Sequence, residues 1–194
     1  MPRISRITLC LLLLPPAFVV RAQQLHTAPS PGIDLAVTFD AQRSLRSAIP
    51  ENFWMQGGSI ELGTNTWRGL GVAANVTGAH TSAIGATAIP LSIVTTTFGP
   101  RYRWHADHRV SFYVEGLIGE ANGFKSLFPT IRGAQTSANS LAAQAGGGLD
   151  YRLSRHVAVR AVEAAWQHTQ LPNGASNVQN GLLLGAGIVV RFGQ

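Results

Sequence analysis

The sequence predicts an all-β chain, an eight-stranded antiparallel up-and-down transmembrane β-barrel. Three observations predict it. Apolar and polar residues alternate in blocks of roughly ten, with almost no helical period. The connections between blocks alternate between short and long. Charged residues make up only 12% of the 194, about half the fraction usual in a soluble domain, while glycine is abundant at 21. The same composition excludes charge-driven disorder and a heptad coiled coil. A single cysteine excludes a disulfide scaffold.

Residues 1–22 read as a secretory signal peptide. Arg3 and Arg6 form its basic start, Ile7 to Leu14 its apolar stretch, and Val20-Arg21-Ala22 a small-x-small cleavage site. The apolar stretch is too short to span a bilayer as a helix. Cys10 leaves with it as an ordinary apolar residue. The formal charge of +6 shrinks accordingly: removing Arg3, Arg6 and Arg21 from 15 basic residues leaves 12 against nine acidic ones, a net of +3. The remaining basic residues are singly placed, almost all Arg, and form no phosphate-tracking stripe, so nucleic acid is excluded as a partner. Residues 23–32 read as a flexible N-terminal tail, and residues 33–194 as the barrel.

Eight strands are expected at about 33–41, 53–64, 68–79, 91–104, 109–121, 139–153, 156–169 and 178–192. Strand one places Ile33, Leu35, Val37 and Phe39 on one face, and Asp34, Ala36, Thr38 and Asp40 on the other. The polar faces of strands two and five contribute Glu61 and Glu115. In strand four, Phe98, Tyr102 and Trp104 oppose Arg101 and Arg103. In strand six, Leu141, Leu149 and Tyr151 oppose Gln144, Asp150 and Arg152. In strand eight, Leu182, Leu184, Ile188, Val190 and Phe192 oppose Gly181, Gly185, Gly187 and Arg191. Strand seven breaks the rule, because Arg160 and Glu163 have opposite parity. A charge near the bilayer midplane costs on the order of 2–4 kcal/mol for Arg, less for Glu. A β-bulge near Ala161 or Val162 would turn both inward, and one is predicted there. Pro100 lacks a ladder donor, so irregularity is expected at Gly99-Pro100.

The short links follow strands two, four and six; the longer ones, including 122–138, follow strands one, three, five and seven. Short turns at one end and long loops at the other suit a barrel that crosses a membrane. Aromatics fall into two girdles: Trp67, Tyr102, Trp104 and Tyr151 near the short turns, and Trp54, Phe124 and Trp166 near the long loops. One polar face then gathers Asp34, Asp40, Glu61, Glu115, Asp150 and Glu163 with Arg101, Arg103, Arg152, Arg160 and Arg191. An eight-stranded barrel is just wide enough for side chains to fill it. The expectation is therefore a structural lumen network of paired charges, with a net stability near zero because desolvation offsets attraction.

The last strand, Gly185 to Phe192, resembles the C-terminal signal of bacterial outer-membrane barrels: a glycine, then alternating apolar residues ending in an aromatic. Its Gly187, Val190 and Phe192 carry that resemblance. The segment Gln144 to Leu153 resembles the sixth-strand-to-turn pattern of the outer membrane protein beta-barrel domain family, small barrels similar to the OmpA transmembrane domain and OmpX. The resemblance implies an integral protein of the cell outer membrane, with its termini in the periplasm. It implies outer-membrane lipid, lipopolysaccharide and the barrel-assembly machinery as partners, and a structural or surface-interaction role.

Candidate chemical sites are few. His105-x-x-His108 supplies two potential metal ligands, but zinc needs three or four and no cysteine remains, so a solvated turn is the simpler reading and no metal is expected. Ser154, His156 and Glu163 supply the parts of an acyl hydrolase, yet Ser154 sits in a short turn, and no catalytic residue, enzyme activity or cofactor is expected. The triple glycine 146–148 has no following helix and is not a phosphate loop. Phe124, Lys125, Leu127, Phe128, Pro129, Ile131 and Arg132 could touch lipopolysaccharide or an extracellular partner, or simply cover the barrel mouth. The alternatives to a structural role are a small-solute channel or permease, a lipid-modifying enzyme, and a secreted soluble barrel.

Overall fold

The computed structural model describes residues 32–46, 52–66, 68–106 and 108–193. The expected signal peptide, all of the expected tail but Gly32, and Trp67 lie outside the described residues. The eight strands are β1 (Gly32–Arg46), β2 (Trp54–Asn65), β3 (Leu70–Thr81), β4 (Leu91–Trp104), β5 (Val110–Thr130), β6 (Gly133–Arg152), β7 (Val157–Thr169) and β8 (Gln179–Phe192). Each pairs antiparallel with its neighbours in sequence, and β1 pairs with β8, closing the barrel. Closure gives each strand two neighbours around the ring, which is what a sheet needs where no water can satisfy its backbone.

Side-chain parity follows the sequence alternation. Val37, Ile60 and Ile188 lie side by side across β1, β2 and β8 and are all more than half exposed, at 53%, 57% and 57%. Their chain neighbours Ala36, Glu61 and Val189 are buried at 1%, 1% and 0%. Among the described residues, charged and amide side chains reach the outer face above this belt: Arg43, Gln56, Glu120, Asn122 and Asn180 mark its loop-side edge, joined by His80 and His168. From Ile33 to Arg43 along β1 is ten steps. At about 3.3 Å per residue and a tilt of about 40°, this spans roughly 25 Å, the height of a bilayer-facing band.

Ala161 of β7 is an extra residue in the ladder. Val162 pairs with Leu149 and Arg160 with Asp150, so the register shifts by one between them. On the other side, Arg160 meets Gly187 and Glu163 meets Gly185. The predicted bulge is therefore present, and both charges point inward, buried at 0% and 1%. At Gly99-Pro100 the β4–β5 pairing is interrupted, while pairing with β3 continues and the register is unchanged. Without an N–H, Pro100 costs local ladder bonds but does not bend the strand out of step.

One expectation is corrected. Residues 122–138 are not a long loop. β5 and β6 continue through them as a hairpin that turns only at Ile131-Arg132, with a register shift between Phe124 and Phe128. Beyond Phe124 on β5 and Ala142 on β6, the two strands pair only with each other. Lys125 takes a positive φ of 57° at the shift, which lets Ser126 and Phe128 turn inward again. The connections after β3 and β7 remain irregular, and residues 47–51 after β1 lie outside the described residues.

Candidate functional site

The lumen has two tiers. The lower tier, toward the short turns, is a cluster of paired charges. Arg160 lies at its centre: Nη1 donates to Glu163 Oε2 at 2.7 Å, Nη2 to Glu61 Oε1 at 2.9 Å, and Nε to Asp150 Oδ1 at 3.2 Å. Arg101 pairs with Glu61 and donates through Nε to Glu115 Oε2 at 2.9 Å. Arg103 joins Asp150 at 2.6 Å and Asp34 at 3.0 Å. Arg191 stands 3.7 Å from Asp34 and 3.6 Å from Asp150, and donates to Ser111 Oγ at 3.1 Å. These residues come from every strand except β3, so the cluster ties the wall together across its interior.

Tyr113 fills the space between the guanidiniums. Its ring centre lies 4.4 Å from Arg160 Cζ, 4.6 Å from Arg101 Cζ and 5.4 Å from Arg103 Cζ. A desolvated cation over an aromatic face is attracted by the ring quadrupole. Two glycines make the room. A Cβ at Gly148 would come within 2.8 Å of the Tyr113 ring, and one at Gly63 would fall on Arg101 Nη1.

Two residues of the expected network stand apart from its core. Asp40 is buried but accepts a hydrogen bond from Thr38 Oγ1 at 2.9 Å and forms no ion pair with the guanidiniums. Arg152 is half-buried at the short-turn end, where Nη2 donates to the Ala106 carbonyl. The other nine, Asp34, Glu61, Arg101, Arg103, Glu115, Asp150, Arg160, Glu163 and Arg191, form one connected set of ion pairs. Five carboxylates thus face four guanidiniums, and their buried side chains occupy the interior at this level.

The upper tier is apolar and was not visible in the sequence. Met55, Leu91, Ile93, Ala121, Phe128 and Leu171 form a buried cluster at the loop end, with Phe53 and Ile84 packed against it. A layer of amides separates the tiers. Gln42 Nε2 donates to Gln167 Oε1 at 2.6 Å, and Gln167 Nε2 to Thr95 Oγ1 at 3.1 Å. Ile84 and Leu171 lie in connections between strands, so strand alternation carried no signal for them, and Phe53, expected at the start of the second strand, precedes β2.

Other candidates resolve into turn chemistry. Ser154 Oγ accepts from the backbone N–H groups of His156 and Val157, at 3.3 and 3.1 Å, and so caps the β6–β7 turn. Ser154 and His156 are exposed, whereas Glu163 is buried in the lumen on Arg160, so no hydrolase triad is assembled. His105 and His108 place their rings edge to face, 5.1 Å apart. Among the described residues, no third ligand joins them; the grouping with three potential metal ligands is Glu61, Glu115 and Glu163. Arg101 and Arg160 already pair with those carboxylates. Of the strand-eight residues, Gly187 faces inward opposite Arg160, while Val190 and Phe192 lie on the outer face beside Leu35 and Ile33.

A closed eight-stranded barrel, charged within and apolar without, is the architecture of a small transmembrane β-barrel. Solved structures of that class share the fold. Neisserial surface protein A superposes with a TM-score of 0.61 at 15% identity, over 82% of this chain and 97% of its own. Ail, the attachment invasion locus protein of Yersinia pestis, superposes with a TM-score of 0.55 at 17% identity, over 84% of this chain and 99% of its own. Ail in complex with the heparin analogue sucrose octasulfate gives a TM-score of 0.53 at 18% identity, with 84% and 99% covered. The fold is that of the small outer-membrane barrels. No protein-family signature and no curated protein matches the sequence.

Proposed function

We propose that this protein is an integral outer-membrane barrel that conducts no solute and acts structurally and through its exposed loop end. The observation that carries the reading is the inverted polarity: Arg160 and Asp150 are fully buried at 0% inside the wall, while Phe39 and Phe98 are 65% exposed outside it. A soluble barrel has no use for that arrangement, since burying the Arg–carboxylate cluster gains little and the apolar belt would aggregate in water. The filled lower tier supports a closed lumen over a channel. Export through a signal peptide cleaved after Ala22, and recognition of the β8 end by the barrel-assembly machinery, belong to the same reading.

At the loop end the surface partners would be lipid headgroups, lipopolysaccharide or an extracellular molecule. The free-standing β5–β6 hairpin supports this, because Leu127 and Ile131 are exposed at 58% and 106%, next to Arg132 at the tip. Ail's complex with a heparin analogue is a precedent for ligand binding by a barrel of this fold. Carbonate extraction and planar-bilayer recording test the proposal together. Retention in the membrane pellet and absence of steady conductance are expected. Release into the supernatant removes the membrane assignment, and steady conductance replaces the closed-lumen reading with a channel.

A further inference from the structure

The upper tier of the lumen is not filled. Between the amide layer and the loops, a half-enclosed cavity of about 200 Å³ remains. Met55, Ile84, Leu91, Ile93, Phe128 and Leu171 supply most of its apolar wall. Gln42 and Gln167, with Ser44 and Thr169 beside them, are polar groups at its base, and Thr87, Ser126, Asn173, Gln179 and Asn180 add polar groups elsewhere in the lining. Among the described residues, no Asp, Glu, Lys, Arg or His lines it. Among the described residues, the lumen that is packed with charge a few residues below carries none in this lining.

We infer that this cavity is a binding site for a small neutral molecule with an apolar body and a single hydroxyl or similar uncharged polar group. Ligand sites combine mostly apolar walls with a few placed hydrogen-bonding groups, and this cavity has that composition. The apolar wall offers water no hydrogen-bond partners, so solvent gains little by occupying it. An engineered apolar cavity on the order of 150 Å³ takes benzene, so a one-ring or short-chain molecule fits here. Drug-sized sites run to roughly 300–1,000 Å³, and a lipid acyl chain with its headgroup is too large. Because no cation lines it among the described residues, carboxylates and phosphates are disfavoured, as their desolvation would go uncompensated there. The hydroxyl would meet the amides of Gln42 and Gln167, while the body would lie against Ile93, Phe128 and Leu171. The inference rests on the cavity and stands whether or not the loops bind a macromolecule.

The test uses the full mature barrel in lipid nanodiscs and fluorine NMR with 4-fluorobenzyl alcohol, against empty nanodiscs. The charged comparison is 4-fluorobenzoate, and the comparison without a hydroxyl is 4-fluorotoluene. Saturable binding of the alcohol is expected, at least tenfold tighter than the benzoate. Ile93→Trp, which places an indole in the cavity, should weaken it tenfold or more. Leu171→Trp repeats the blockade from the β7–β8 connection if Ile93→Trp fails to give the heat-modifiable mobility of a folded barrel. Gln167→Leu should erase the preference for the alcohol over 4-fluorotoluene. No saturable signal above empty nanodiscs, equal binding of the benzoate, or binding unchanged in a folded blocked variant overturns the inference.

Discussion

Arg160 is the position where the lumen can be tested most sharply. Among the described residues it is the cation paired with Glu163, at 2.7 Å, while Glu61 also has Arg101, and Asp150 also has Arg103. Arg160→Met keeps a long unbranched side chain but leaves Glu163 buried with no guanidinium. Breaking a buried pair by removing one partner costs roughly 3–5 kcal/mol. Adding Glu163→Gln removes the stranded charge, so the double variant should recover part of that loss. Residues in one ion-pair network couple by about 0.5–3 kcal/mol, and the upper half of that range is expected because both groups are wholly buried. The assay is urea unfolding of the refolded barrel in lipid vesicles, followed by tryptophan fluorescence and heat-modifiable mobility, across all four members of the cycle. Single-variant losses that add to within about 0.5 kcal/mol would refute the reasoning, because the two side chains would then not share an interaction.

Three further outcomes follow from the wall. Ile60→Arg, in the middle of the apolar belt, should cost about 2–4 kcal/mol in bilayers, whereas Gln56→Arg at the belt edge should cost about 0–1 kcal/mol; the same unfolding assay measures both. Deleting Ala161 should leave a folded barrel with a regular β7, because the extra residue alone is lost and both charges still face inward. Deleting Val159 should prevent folding or lose several kcal/mol, because it turns Arg160 toward lipid; equal folding yields of the two deletions would contradict the bulge argument. Gly148→Val should cost roughly 1–3 kcal/mol by overpacking against the Val162 carbonyl and Tyr113, and Tyr113→Ala should relieve only the Tyr113 share of that cost in the double variant.

The parts of the fold that lipid constrains were legible in the sequence. A strand crossing the bilayer must keep every charge on one side, so alternation gave the face of each strand, and the parity clash of Arg160 with Glu163 placed a bulge near Ala161 or Val162, found at Ala161. Above the bilayer that constraint lapses. The β5–β6 hairpin pairs Phe128 with Gln135 and Pro129 with Ala134, and its glycine, proline and serine content reads as loop. The candidate site was legible as a set of inward charges but not as a set of partners. Which carboxylate meets which guanidinium depends on the stagger of strands around the barrel: Arg160 reaches Glu61 across 99 residues of chain. The same stagger leaves Asp40 on the correct face yet bonded to Thr38. The apolar upper cavity was invisible because its wall is shared between strands and connections far apart in sequence.

The charged cluster also bears on how the barrel assembles. Asp34 lies on β1, and its pairs with Arg103 and Arg191 bring β4 and β8 to the first strand. Until β8 zips onto β1, several of these charges have no fixed partner, so the set forms only as the ring closes. Interactions that are made after the transition state leave the folding rate largely unchanged and slow unfolding instead. The cluster thus acts as a late latch. Removing one partner leaves the other charge buried and unpaired, and the loss should show mainly as faster opening of the seam between β1 and β8 and a shorter lifetime of the closed barrel.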